Sequence, residues 1–138
     1  MEIQNRKYLA IMIILLISVL IRTVLSNPDR VTKLLPGFSA EDNAKIRHYS
    51  GYLDAGKGNH FFYWFFESES DTEKDPLLLW LNGGPGCSSM IGCLTEIGPI
   101  KIYRNGEIKY NPFTWNTRMN LLFIESPSGV GFSYNESN

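Results

Sequence analysis

The amino-acid sequence predicts an α/β fold on a mixed central sheet, of which this chain holds only the opening part. Three observations carry that expectation. Two β-prone segments near the start, "RHYSGYLDA" (47–55) and "HFFYWFFES" (60–68), flank the turn "GKGN" (56–59) and read as an antiparallel hairpin. Two continuous apolar runs follow, "PLLLWL" (76–81) and "NLLFIE" (120–125), of the kind found in strands covered on both faces. Between those runs lie a glycine loop, a short helical stretch and a second hairpin, which together form a crossover. A sheet of these strands alone would have an open edge and an uncovered apolar face, so the fold is expected to be incomplete.

The first 26 residues are set apart from the fold. "MEIQNRK" carries two positive charges, "YLAIMIILLISVLI" (8–21) is an unbroken apolar core, and Val24 and Ser26 stand at cleavage-site positions. This is the three-part pattern of a signal peptide over 1–26, and its core is shorter than the ~20 residues of a membrane span. An uncleaved signal anchor is the alternative, against which Arg22 closes the apolar run. The mature chain is then 27–138, with no stable membrane span after cleavage. Removing Arg6, Lys7, Arg22 and Glu2 leaves ten basic and thirteen acidic side chains, and no basic patch points to nucleic acid.

Within that chain, 27–46 reads as an exposed lead-in, punctuated by "NPDR" and "LPGF". The first strand is expected to be interrupted at Gly51. The acidic run "ESESDTEKD" (67–75) reads as a solvated loop. After the glycine loop, 88–97 reads as a short helix with a serine as N-cap, ended by Gly98 and Pro99. "IKIYRNGEIKY" (100–110) is a hairpin with Asn105 and Gly106 at its turn. "NPFTWN" (111–116) is a loop, and "SPSGVGFSYNESN" (126–138) a glycine-rich exit. Gly129 and Gly131 lack the third glycine of a dinucleotide fingerprint; their loop is expected to pass close to something.

Two cysteines in a chain bound for an oxidising compartment suggest a disulfide between Cys87 and Cys93. Six residues of helix rise ~9 Å, beyond the ~7 Å that a disulfide tolerates between α-carbons. Either the segment is not helical, or the cysteines need partners from elsewhere; absent partners are favoured for at least one.

The stretch "WLNGGPGCSS" (80–89) holds the chemistry. Gly83 and Gly84 bare their amides at a strand-to-helix junction, and Pro85 removes a donor and stiffens the turn. Such a junction makes an anion-binding concavity for phosphate, carboxylate or a developing oxyanion. Phosphate fits least, because no Gly-Lys-Ser/Thr follows. A glycine turn that serves packing alone is the plain alternative.

In order and spacing, "HYSGYL", "PLLLWLNGGPGCSS", "TEIGPI", "YNPFTWN" and "LLFIESPSGVGFSY" resemble the N-terminal third of serine carboxypeptidases, from about Phe38 to Tyr134. The resemblance implies an α/β-hydrolase fold, incomplete here, and a serine-type peptidase that releases C-terminal residues through an acyl-enzyme. It implies no metal and no organic cofactor, with peptide or protein C-termini as substrates. By the family pattern, the Gly84 N–H belongs to the oxyanion hole, while Asn82 and the Gly83 N–H hold the substrate's terminal carboxylate. Trp80 stands beside that clamp, or is a core aromatic. Glu96 would share a proton with a second acid near the nucleophile, or is a surface charge at a helix end. The pattern pairs Cys87 with a cysteine far downstream and leaves Cys93 as a buried free thiol.

The nucleophile's Gly-x-Ser-x-Gly does not occur: "GCSSM" and "GFSYN" each lack the closing glycine. No histidine follows His60, and His48 and His60 are expected at the edge or surface of the first hairpin. Residues 1–138 alone are therefore expected to be inactive. Asn135, with Glu136 and Ser137, forms a glycosylation sequon. The expected setting is the secretory pathway, lysosomal, vacuolar or extracellular; oligomeric state is not legible. An acyltransferase or lyase on the same scaffold, or a secreted non-catalytic product, are the alternatives.

Overall fold

The computed structural model describes residues 29–33 and 35–137, so the expected signal peptide lies outside the described residues. All of the elements fall in the unit Val31–Asn138. Strands β1 (His48–Asp54) and β2 (Asn59–Phe66) form the expected antiparallel hairpin, from His48 opposite Phe66 to Asp54 opposite His60. β1 runs unbroken through Gly51, which faces Tyr63, so the expected interruption does not occur. β3 (Leu77–Trp80) lies beside β6 (Asn120–Ile124) in parallel, and β6 pairs antiparallel with β2. The order β1-β2-β6-β3 makes the sheet mixed, as expected. β7 (Tyr134–Asn135) adds to β2 at Asn59 and His60, so the glycine-rich exit contains a short strand that its composition concealed.

Cross-strand register explains which side chains are buried. His48, Phe66, Leu121 and Leu78 form one row across the sheet, and Ser50, Trp64, Phe123 and Trp80 form the next. Residues in register share a face, and on this face Phe66, Leu121 and Phe123 are fully buried. Met90, Cys93, Ile97 and Ile100 cover it from the crossover, and Phe38 and Ile46 from the N-terminal side. Each such large side chain contributes about 1.5–3 kcal/mol by leaving water. The other face is different. Leu77 is 62% exposed and Leu79 52%, so the described residues cover one side of β3 where the apolar run predicted two.

The lead-in is more structured than its composition suggested. Helix α1 (Ala40–Lys45) is capped by Ser39, whose Oγ accepts from the Asp42 amide at 3.0 Å and donates to the Asp42 carboxylate at 2.9 Å. The Lys45 ammonium and the Ser39 hydroxyl hold the Asp42 carboxyl below its ordinary range. Phe38 and Ile46, at either end, plug into the core, so the segment is pinned at two points while most of it is exposed, as expected, and α1 itself has no buried residue.

The crossover opens with a helical turn at Met90 and Ile91 and continues as a π-helical turn, Gly92–Glu96. The expected helix is thus shorter and wider, and no side chain caps the π-helical turn, although Ser88 Oγ accepts from the Met90 amide at 3.1 Å just before it. Strands β4 (Ile100–Ile102) and β5 (Ile108–Tyr110) form the second hairpin. The Tyr103 amide bonds the Glu107 carbonyl at 2.8 Å, which makes a three-residue loop with Gly106 left-handed at its end (φ +81°).

The acidic run is also tied down. Glu67 pairs with Arg47 at 2.9 Å and accepts from the Tyr49 hydroxyl, and Asp75 accepts from Ser68. Among the described residues no group of acids, histidines or cysteines is placed to hold a metal, and no helix is long and apolar enough to cross a membrane.

Candidate anion-binding loop

β3 delivers Trp80 to the covered face of the sheet, where the indole lies so close to Gly92 that a Cβ there would overlap it. The Trp80 Nε1–H donates to Asn82 Oδ1 at 2.7 Å. An indole nitrogen can only donate, so this contact fixes which end of the Asn82 amide is oxygen. The Asn82 NH2 group is left as a donor, with no bond to a described residue.

Gly83 and Gly84 follow, both exposed, and neither amide is bonded to a described residue. The two glycines are glycine for different reasons. Gly84 has φ +132°, and a Cβ there would sit 3.1 Å from the Gly86 nitrogen and 3.2 Å from that of Cys87. Its own loop requires the missing side chain. A Cβ at Gly83 would meet nothing within 4 Å, so packing asks nothing of that position. The open space beside Gly83 is what close approach by a ligand requires. The Gly84–Pro85 peptide is cis.

Two serines fasten the loop to the end of β6. Ser89, 2% exposed, accepts from the Asn82 amide at 3.2 Å and donates to the Ile124 carbonyl at 2.6 Å. Ser88 donates to Glu125 Oε1. Glu125 is fully buried; its second oxygen accepts from the Phe132 amide at 2.6 Å, and its carbonyl from the Ser133 hydroxyl at 2.7 Å. A Cβ at Gly131 would overlap the Glu125 carboxylate, which identifies what the loop at 126–133 passes close to, as its glycines predicted. In the sequence a serine of this stretch stands out only as a helix cap, and Glu125 not at all. The available signal was an acid ending an otherwise apolar strand.

The structure therefore brings together Trp80, Asn82, Gly83 and Gly84. Glu96 is exposed at the last residue of the π-helical turn, and its carbonyl accepts from Asn111 Nδ2 at 3.3 Å. Cys87 is exposed, Cys93 is buried, and the two are not bonded to each other. Burial pushes the Cys93 thiol far above its ordinary range.

His48 lies on the edge strand β1, as expected, but it is not at the surface: it is 2% exposed and stacks on Phe66 with ring centroids 5.6 Å apart. Its Nδ1 accepts from Trp64 Nε1 at 2.9 Å, and burial lowers its pKa to about 4. His60 pairs with Glu136 at 2.8 Å and stacks on Tyr134. Asn135 lies in β7, where its Nδ2 donates to Asn59 Oδ1 at 2.8 Å and to the Lys57 carbonyl at 3.2 Å.

Chemically, the loop offers the Asn82 NH2 and two backbone amides on consecutive residues, with no basic side chain in 82–89. Dipolar donors of this kind suit a carboxylate or an oxyanion.

The family model described as serine carboxypeptidase matches residues 36–138. The chain is 53% identical over 103 residues to the lysosomal protective protein of Mus musculus, covering 74% of this chain and 21% of that protein. It is 48% identical over 106 residues to carboxypeptidase Y homolog A of Leptosphaeria maculans, covering 76% and 19%. Among solved structures it resembles Kex1(Δ)p, a prohormone-processing carboxypeptidase from Saccharomyces cerevisiae, with TM-score 0.56 and 36% identity. That match covers 67% of this chain and 22% of the other. The chain spans about a fifth of the length of these relatives.

Proposed function

Because the chain belongs to the serine carboxypeptidase family, we propose that the full-length protein releases C-terminal residues from peptides through a serine acyl-enzyme, and that residues 80–89 supply its anion sites. The observation that carries this reading is the Trp80–Asn82 bond beside two glycine amides with no partner among the described residues. It takes up the Asn82 oxygen and leaves the NH2 as a donor one residue before the Gly83 amide, a pair suited to the terminal carboxylate of a peptide. The Gly84 amide then serves the oxyanion of the tetrahedral intermediate. One site binds charge already present in the substrate, the other charge that develops in the transition state, and only the second accelerates the chemical step.

The family pattern gives the remaining assignments. Glu96 shares a proton with a second acid outside this segment, and Cys87 bonds a distant cysteine. No metal or organic cofactor takes part. Residues 1–26 direct the protein to the secretory pathway, with a lysosomal, vacuolar or extracellular destination. A glycan on Asn135 would replace one of two N–H groups that the folded strand uses, so attachment precedes closure of β7 on β2. Residues 1–138 by themselves hydrolyse no peptide, since they contain no Gly-x-Ser-x-Gly.

The test compares an N-blocked dipeptide with its C-terminal amide in the full-length enzyme, with and without Asn82→Ala. Losing a hydrogen bond to a charged group costs about 1.5–3 kcal/mol, so KM for the free acid should rise roughly 10- to 100-fold, with the amide little changed. Equal hydrolysis of acid and amide by the unaltered enzyme would overturn the carboxypeptidase reading. Faster transfer to an added alcohol or amine than to water would favour an acyltransferase.

A further inference from the structure

From the hydrogen bonds that join the glycine loop to β6, we infer that Ser88 and Ser89 are positioning residues, one for each anion site, and that Glu125 anchors the first of them. The inference rests on the function proposed above and assigns roles to three residues outside the anion sites themselves.

Each hydroxyl spends its hydrogen on the end of β6 and its lone pair on the crossover. Ser89 donates to the Ile124 carbonyl and accepts from the Asn82 amide, so the backbone of the carboxylate clamp hangs directly on β6. Ser88 donates to Glu125 and accepts from the Met90 amide, which fixes the chain just after Cys87. Gly84 lies against that chain, so close that a Cβ there would crowd the Gly86 and Cys87 nitrogens. Position therefore passes from Glu125 through Ser88 to the backbone that supports the oxyanion amide. The two threads leave adjacent residues, Ile124 at the end of β6 and Glu125 just beyond it, and reach different sites.

Glu125 is built for rigidity. It is fully buried, with both carboxylate oxygens engaged and its carbonyl held by Ser133. Gly131 leaves the carboxylate the space that a Cβ there would take, so this glycine is what lets Glu125 sit in its buried place. A neutral apolar residue at 125 would leave the Ser88 hydroxyl and the Phe132 amide without their acceptors.

Separate threads predict separate kinetic effects. A small displacement of a reacting group costs about 10- to 100-fold in rate; Ser88→Ala should lower kcat by that order for both the blocked dipeptide and its amide, with KM within about twofold. Ser89→Ala should raise KM for the free acid about tenfold, as the clamp loosens, and leave the amide's kinetic constants unchanged. Ser88→Thr, which keeps the hydroxyl, should restore kcat. If Ser88→Ala does not fold, Glu125→Asp, which keeps the charge and shortens the reach, reports the same thread and should show the same kcat loss. The measurement is steady-state kinetics of the full-length enzyme on acid and amide, with the unfolding midpoint of each variant alongside. An unaltered enzyme that shows no preference for the acid sinks the carboxypeptidase reading. If that preference is present but the serine variants change both substrates and both constants alike, or only the unfolding midpoint, the positioning roles are wrong.

Discussion

At the scale of single residues, His48 shows how a buried imidazole ties stability to pH. Its Nδ1 must keep a lone pair to accept from Trp64, and the ring is sealed against Phe66, so the folded protein holds it neutral down to about pH 4. In the unfolded chain the same ring titrates near 6.5. Between those values the unfolded state carries the extra proton, and stability falls as pH falls, levelling off below about 4. Between pH 7 and pH 5 the loss from this one group is about 2 kcal/mol. His48→Asn keeps an acceptor near the Nδ1 position and removes the titration. Denaturant unfolding of the full-length protein at the two pH values should show the drop shrinking by about that amount. An unchanged pH slope in the variant would place the proton uptake elsewhere.

At the scale of elements, the π-helical turn and β3 act as one unit, because Gly92 admits the Trp80 indole against the turn's backbone. Gly92→Ala would push the indole away from Asn82 and free the amide to rotate. KM for a free-acid substrate should then rise about tenfold through loss of one oriented donor, and adding Asn82→Ala should make it no worse. Fully additive effects would show that Trp80 does not orient Asn82. The sequence announced β3, β6 and both hairpins, since apolar runs and an Asn-Gly turn are local signals. It did not announce α1, because two core residues eight positions apart, Phe38 and Ile46, leave no periodic trace. It singled out Asn82, Gly83 and Gly84 through their motif. The serine and glutamate anchors stayed hidden, because the bonds from Ser88 and Ser89 to β6 span more than thirty residues and exist only once the strand is beside the loop.

At the scale of the whole molecule, the two sides of the sheet have opposite characters. One is closed by the crossover and by Phe38 and Ile46; on the other, Leu77 and Leu79 of β3 are half or more exposed. β3 is also the last strand in the order, with one flank unpaired among the described residues. An apolar face of this kind is costly in water, and an unpaired strand flank is a template for association. The chain spans about a fifth of its relatives, and in the full-length protein further chain is expected to cover this face. The same two leucines should therefore answer differently in the two settings. In residues 31–137 expressed alone, Leu77→Lys with Leu79→Lys should suppress self-association, measured by sedimentation at rising concentration. In the full-length protein the pair would bury two unpaired charges and should lower stability by several kcal/mol. If the full-length protein tolerates both lysines, the face is solvent-exposed there too, and β3 is an outer strand of the finished enzyme.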